Sequence, residues 1–140
     1  MSIMSLVETW YNGNNWKQKC CICNNKVHIF LFFSFIVPTV QLSQSVYSVN
    51  NGGQITLGCT VTSTSQVTSV FWQRNVNGFV TTITSNTNTN KYSGSTVNNP
   101  SLTIFNSASS DAGTYTCFAS NGFGTGTSTS TSLTVGSKSK

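Results

Sequence analysis

The stretch that most constrains this chain is Asp111-Ala112-Gly113-Thr114-Tyr115-Thr116-Cys117. Asp and Gly punctuate a turn. Tyr115 and Cys117 then alternate with Thr114 and Thr116, which makes a strand with one apolar and one polar face. Upstream, Cys59 lies in a second alternating run, and Trp72 lies in the apolar stretch that follows it. Charged residues make up only 6% of the chain, and Ser, Thr, Asn and Gly take their place. That composition suits strands and turns better than solvent-facing helices, which favour Lys, Glu and Arg.

The order of strands can be read after residue 45. Val46 to Val49 reads as a first edge strand, and Asn50-Asn51-Gly52-Gly53 as a turn. From Gln54 to Thr62, Ile55, Leu57, Cys59 and Val61 share one face, as expected of a half-buried strand. Val70 to Arg74 is the next strand, with Val70 and Trp72 inward and Phe71 and Gln73 outward. Asn77-Gly78 is a strong hairpin signal and leads to a strand over Phe79–Ile83. Strands follow at Ser101–Phe105 with Leu102 and Ile104 inward, and after Asp111 with Tyr115, Cys117 and Ala119 inward. Asn121-Gly122 reads as a second hairpin turn, and Thr127–Val135 as the last strand.

Cys59, Trp72 and D-x-G-x-Y-x-C at these spacings resemble the immunoglobulin superfamily, over about residues 46–135. The resemblance implies an all-β fold, a two-sheet antiparallel Greek-key sandwich. It also implies that Cys59 and Cys117 bridge the sheets, that Trp72 lies against the bridge, and that the Tyr115 hydroxyl makes a corner hydrogen bond. Lys91 to Ser95 resembles the start of a strand of variable-type domains whose basic residue pairs with the Asp of the D-x-G motif, so Lys91 would pair with Asp111. Cys117-Phe118-Ala119-Ser120-Asn121-Gly122-Phe123-Gly124 looks like the C-x-A-x-N-x-x-G pattern of intermediate (I-set) domains. Phe123-Gly124-Thr125-Gly126-Thr127 also looks like the joining motif of antigen receptors, a variable-type feature. The short spacing from Trp72 to Lys91 leaves little room for an extra variable-type strand, so the I-set type is expected. The glycines near 124–126 are then expected to form a bulge.

The first 45 residues read as a leader. Val27 to Val37 is a mostly apolar run, preceded by Lys17, Lys19 and Lys26 and followed by small and polar residues, the order of a secretory signal. It is short of the ~20 apolar residues of a membrane span. Cleavage is expected after Ser43 or Ser45, with Thr39 as a third site. The alternative is an uncleaved anchor with palmitoylated Cys20, Cys21 and Cys23. With the leader removed, Cys59 and Cys117 are the only cysteines left. The expected organisation is a leader over 1–45, a domain over 46–135 and a tail over 136–140, secreted and with no membrane attachment after cleavage.

Catalytic chemistry is hard to assemble from what remains. After residue 45 there is no His, no Glu and a single Asp. Acid–base catalysis needs a positioned titratable pair, and metal sites need several ligands. No enzyme activity, cofactor or metal is expected. The net charge is +5, yet two of the four basic residues after position 45, Lys138 and Lys140, sit at the C-terminus. That is unlike the clustered basic face of a nucleic-acid binder. No N-glycosylation sequon is present.

A binding module for a protein or glycan ligand in recognition or adhesion is therefore expected, with a homodimer as the simplest partner. Its expected binding face is formed by Phe71, Gln73, Phe79 and Phe118, because inward Trp72 and Cys117 force their neighbours outward. The alternative is a structural repeat or fragment of a larger multi-immunoglobulin adhesion or matrix protein, possibly anchored by the uncleaved segment.

Overall fold

The computed structural model describes residues 36–137, together with residues 10–12, 15–17, 22–23 and 26–27. In the N-terminal unit, β1 (Trp10–Asn12) pairs antiparallel with β2 (Asn15–Lys17), and β3 (Ile22–Cys23) with β4 (Lys26–Val27). Residues 28–35 of the expected apolar leader run, and Lys138 to Lys140, lie outside the described residues. The second unit begins at Val37.

Residues 37–137 form two packed β layers. The front sheet has the order β10 (Phe79–Ile83), β9 (Val67–Val76), β13 (Gly113–Asn121), β14 (Gly124–Gly136), β6 (Val46–Asn50). All its pairings are antiparallel except β14 with β6. The back layer holds β11 (Tyr92–Gly94), β12 (Leu102–Ile104) and β7 (Ile55–Leu57), together with β5 (Thr39–Leu42) paired to β8 (Cys59–Thr62). This is the all-β, two-sheet sandwich that the resemblance implies.

The expected strand over Gln54–Thr62 is interrupted at Gly58 between β7 and β8. The Gly58 N–H donates to the Tyr47 hydroxyl at 2.9 Å, and the Gly58 carbonyl accepts the Ser43 N–H at 3.0 Å. A side chain at 58 would meet Ser43. The chain switches partners there, from β12 to β5, without losing backbone hydrogen bonds.

The period-2 pattern delivers the core. Leu57, Trp72, Leu102, Ile104, Tyr115, Cys117 and Ala119 have no exposed surface, and Ile83 and Leu133 almost none. Trp72 stands directly opposite Cys117 in the β9–β13 register, and its indole N–H donates to the Pro100 carbonyl at 2.9 Å. Cys59 on β8 and Cys117 on β13 are disulfide-bonded, with Cα atoms 6.6 Å apart, so the bridge joins the two layers.

Three details differ from the sequence reading. First, the domain starts before residue 46. Thr39–Leu42, assigned to the leader, is β5, and Val40 is buried in the core. The first strand is thus divided, β5 in the back layer and β6 in the front, and periodicity alone does not reveal a strand that changes sheets. Second, the hairpin turn between β13 and β14 is Gly122-Phe123 rather than Asn121-Gly122. Asn121 ends the strand, and its side-chain carbonyl accepts the N–H groups of Phe123 and Gly124 at 2.9 and 3.2 Å. Third, the irregularity in β14 lies at Ser128-Thr129, opposite Cys117, and not at the glycines. The Ser128 hydroxyl accepts the Cys117 N–H at 2.9 Å. Gly126 is needed for another reason: a Cβ there would collide with the Pro38 carbonyl oxygen.

One end of the sandwich gathers all three charged residues of segment 36–137, Arg74, Lys91 and Asp111. The short 3-10 helix Ser109–Asp111 precedes β13. Asp111 Oδ2 accepts the Ala108 N–H at 2.7 Å and lies 2.6 Å from Lys91 Nζ. Lys91 Nζ also donates to the Asn106 carbonyl at 2.8 Å, and Arg74 donates to the Ser110 carbonyl at 2.6 Å. The Tyr115 hydroxyl donates to the Asp111 carbonyl at 2.6 Å, closing the corner. Burial pushes the Tyr115 phenol well above its usual range, and burial followed by the Asp111 charge raises that of Tyr92.

Three outcomes follow from this packing. A chain beginning at Val46 loses β5 and the burial of Val40, so it should be less stable than one beginning at Val37 by about 2 kcal/mol or more. Urea midpoints compare the two, and equal midpoints would make β5 dispensable. The Asp111 side chain is only 5% exposed against 21% for Lys91. Lys91→Ala therefore strands a largely buried carboxylate and should cost about 2–3 kcal/mol, between the exposed and fully buried limits. Lys91→Ala at or below about 0.5 kcal/mol, the range of ordinary surface substitutions, would rule this out. Because both tyrosine pKa values are raised in the folded state, stability should hold up to about pH 10, where the unfolded chain ionises. It should then fall as pH rises further. Unfolding free energies between pH 8 and 12, followed with phenolate absorbance, should show this slope and its reduction in Tyr115→Phe.

Candidate functional site

The outer face of the front sheet is the candidate site. Parity builds it. Trp72 and Cys117 point inward, so Phe71 and Phe118 point outward, and the β9–β13 register sets them directly opposite each other. Their rings stack with centroids 4.9 Å apart and planes 2° from parallel. Both are half-buried. Aromatic pairs of this offset kind are worth about 0.5–1.5 kcal/mol beyond their area.

Gln73 lies on the same face, next to Thr116 in register. Beyond it a groove of about 390 Å³ runs between Gln73, Asn75, Val80, Thr116 and Ser130. Around the rings the hydroxyls are tied to one another. Thr116 and Ser130 are 2.9 Å apart, Ser120 and Thr125 2.7 Å, and the Thr68 hydroxyl donates to the Ser120 carbonyl at 3.2 Å. No charged residue of segment 36–137 stands on this face, because Arg74, Lys91 and Asp111 are engaged at the end of the sandwich.

Phe79 does not join Phe71 and Phe118. In the β10–β9 register Ile83 opposes Trp72, so Phe79 has the parity of the inward residues. It lies at the hairpin end of the strand, beyond the core, and is 82% exposed. Val80, 55% exposed, takes the place on the outer face that was expected for Phe79. Strand parity counted from Trp72 through the Asn77-Gly78 turn could have given this. The two-residue loop pairs Val76 with Phe79, and that step fixes the facing of every residue in β10.

The rest of the expected site set is structural. Cys59, Cys117, Trp72 and Tyr115 form the core, and Lys91 and Asp111 close one end. Among the described residues there is no group of three or more His, Cys, Asp or Glu side chains placed to hold a metal ion. No described helix is long and apolar enough to cross a membrane.

Comparison with known proteins agrees with the fold. A family model described as immunoglobulin domain matches residues 37–121. No match was found among curated protein sequences. Among solved structures, one similar chain belongs to the structural basis of T cell specificity and activation by the bacterial superantigen toxic shock syndrome toxin-1. It has a TM-score of 0.56 and 19% identity, over 70% of this chain and 98% of the other. The tandem Ig repeats of Dlar match with a TM-score of 0.55 and 25% identity, over 72% of this chain and 49% of the other. A marsupial T cell receptor matches with a TM-score of 0.55 and 18% identity, over 70% of this chain and 51% of the other. The chain therefore spans about half the length of these last two. The bridged sandwich, the Trp72 and Tyr115 geometry and the family match over more than half of the sequence lead to one conclusion: the chain belongs to the immunoglobulin domain family.

Proposed function

We propose that this chain is an extracellular binding module of the intermediate immunoglobulin type, which captures a protein ligand on the outer face of the front sheet. The stacked Phe71–Phe118 pair on an uncharged face carries the reading. Aromatic residues are enriched at interface cores, where charge is depleted. Three further points support it. The Cys59–Cys117 bridge suits an oxidising compartment. Residues 84–91, between β10 and β11, hold no strand, as an intermediate-type domain requires. The hydroxyls around the rings already bond to one another, which favours an apolar protein contact over a glycan needing free donors.

Secretion by cleavage of the leader fits a cut upstream of Val37, which keeps β5. Cuts after Thr39, Ser43 or Ser45 would divide or remove that strand. A second reading, one repeat of a multi-domain adhesion protein, is favoured by the likeness to about half of a tandem immunoglobulin chain.

The test is a cell-surface receptor screen with the purified protein and its Phe71→Ser/Phe118→Ser variant. Each anchor in a packed interface is worth about 2 kcal/mol, roughly 30-fold in affinity. The variant should keep its disulfide and near-ultraviolet circular dichroism while losing capture by at least that factor. Unchanged capture by a folded variant would move the site to the loops around Asn121 and Gly122.

A further inference from the structure

The feature left unused by the binding face is the free edge of β10. This strand ends the front sheet, and among the described residues no strand pairs with its outer side. Its sequence, Phe79-Val80-Thr81-Thr82-Ile83, is aromatic and mostly β-branched, the composition that pairs best in sheets. Edge strands in monomeric proteins are ordinarily blunted by a charge, a proline or a bulge. β10 has none of these, and its register with β9 runs unbroken over all five residues. The edge of the back layer is treated differently. β11 is three residues long, follows Lys91, and stops at Gly94 and Ser95, both with left-handed backbone (φ 88° and 55°). Phe79, the most exposed of the large apolar side chains described at 82%, sits on the unprotected edge.

We propose that β10 pairs antiparallel with β10 of a second copy, joining two front sheets into one continuous sheet. The register follows from the hairpin. A two-residue loop closes on a hydrogen-bonded pair, here Val76 and Phe79. Alternation then turns the N–H and C=O groups of Val80 and Thr82 away from β9, toward the free edge. A two-fold axis at Thr81 sets Val80 against Thr82 of the second copy and Thr82 against Val80, so both pairs exchange their bonds. The same axis brings Phe79 opposite the second copy's Ile83. An isologous contact needs a self-complementary surface, and a strand without charge meets its copy without like-charge repulsion. The nearest charge among the described residues, Arg74, is one strand further in on each side and donates to the Ser110 carbonyl. Pairing about an axis normal to the sheet leaves both Phe71–Phe118 pairs on the same side, a bivalent surface whose avidity exceeds that of one copy.

This inference does not depend on the ligand face, and the experiment separates the two. Sedimentation of the purified protein at about 100 µM should show a dimer with dissociation tighter than that concentration. Val80→Pro removes an outward N–H without touching the β9 ladder, and edge strands tolerate proline; it should weaken the dimer at least tenfold. Thr81→Cys should form a covalent dimer under oxidised glutathione, because residues opposite each other in a non-hydrogen-bonded pair lie within disulfide reach. Thr82→Cys, also at an exposed position, should not. Phe71→Ser/Phe118→Ser should remain dimeric whether or not it still captures ligand. A monomeric wild type, equal cross-linking at 81 and 82, or loss of the dimer in the phenylalanine double variant would each overturn the edge pairing.

Discussion

The covalent bridge between Cys59 and Cys117 is the constraint on which the rest depends. It ties β8 in the back layer to β13 in the front one across a sequence separation of 58. Closing a loop of that size removes about 4 kcal/mol of chain entropy from the unfolded state, a large share of a small domain's stability. The bridge also fixes facing. With Cys117 inward, Trp72 opposite it must be inward, and so must Tyr115 and Ala119 two residues to either side. Every outward residue of the front sheet, Phe71 and Phe118 included, inherits its position from that single choice of parity.

Charge is distributed with equal economy. The three charged groups of the described sandwich are used at one end, where they satisfy the carbonyls and N–H groups of the turns before β13. Hydroxyl and amide side chains supply the remaining polar surface. Hydroxyls on neighbouring strands bond to each other in pairs, which orders the front face without the long-range fields that charged side chains create.

Glycines and hydroxyls do specialised work where strands change partners. Gly58 lets β7 hand over to β8 while Tyr47 and Ser43 take its backbone groups. Gly126 clears space for the Pro38 carbonyl, so the segment before β5 can lie across β14. Ser128 fills the irregular step opposite Cys117 with a side-chain acceptor in place of a ladder carbonyl. These positions explain how one chain end can serve both layers.

Much of this was legible in the sequence, because period-2 alternation and turn chemistry are local properties. The inward sets on β7, β8, β9, β12 and β13 and the Asn77-Gly78 hairpin each follow from neighbours a few residues apart, while the spacing of Cys59, Trp72 and Cys117 was informative only through its resemblance to a known family. The outward pairing of Phe71 and Phe118 followed from the same parity once the two strands were taken as adjacent. The missing pieces are those settled by distant parts of the chain. β5 is a short segment that becomes a strand only because β8 lies beside it, and its four residues look like the end of a leader. Ser128-Thr129 forms the irregular step opposite Cys117, a pairing set by β13 rather than by local residues, and Gly126 is small because Pro38 passes over it. Phe79 is exposed because the hairpin carries β10 past the end of the core. The sequence determined which residues could face inward; the tertiary structure decided which partner each strand would meet, because hydrogen-bond pairing and steric clearance depend on segments far apart in the chain.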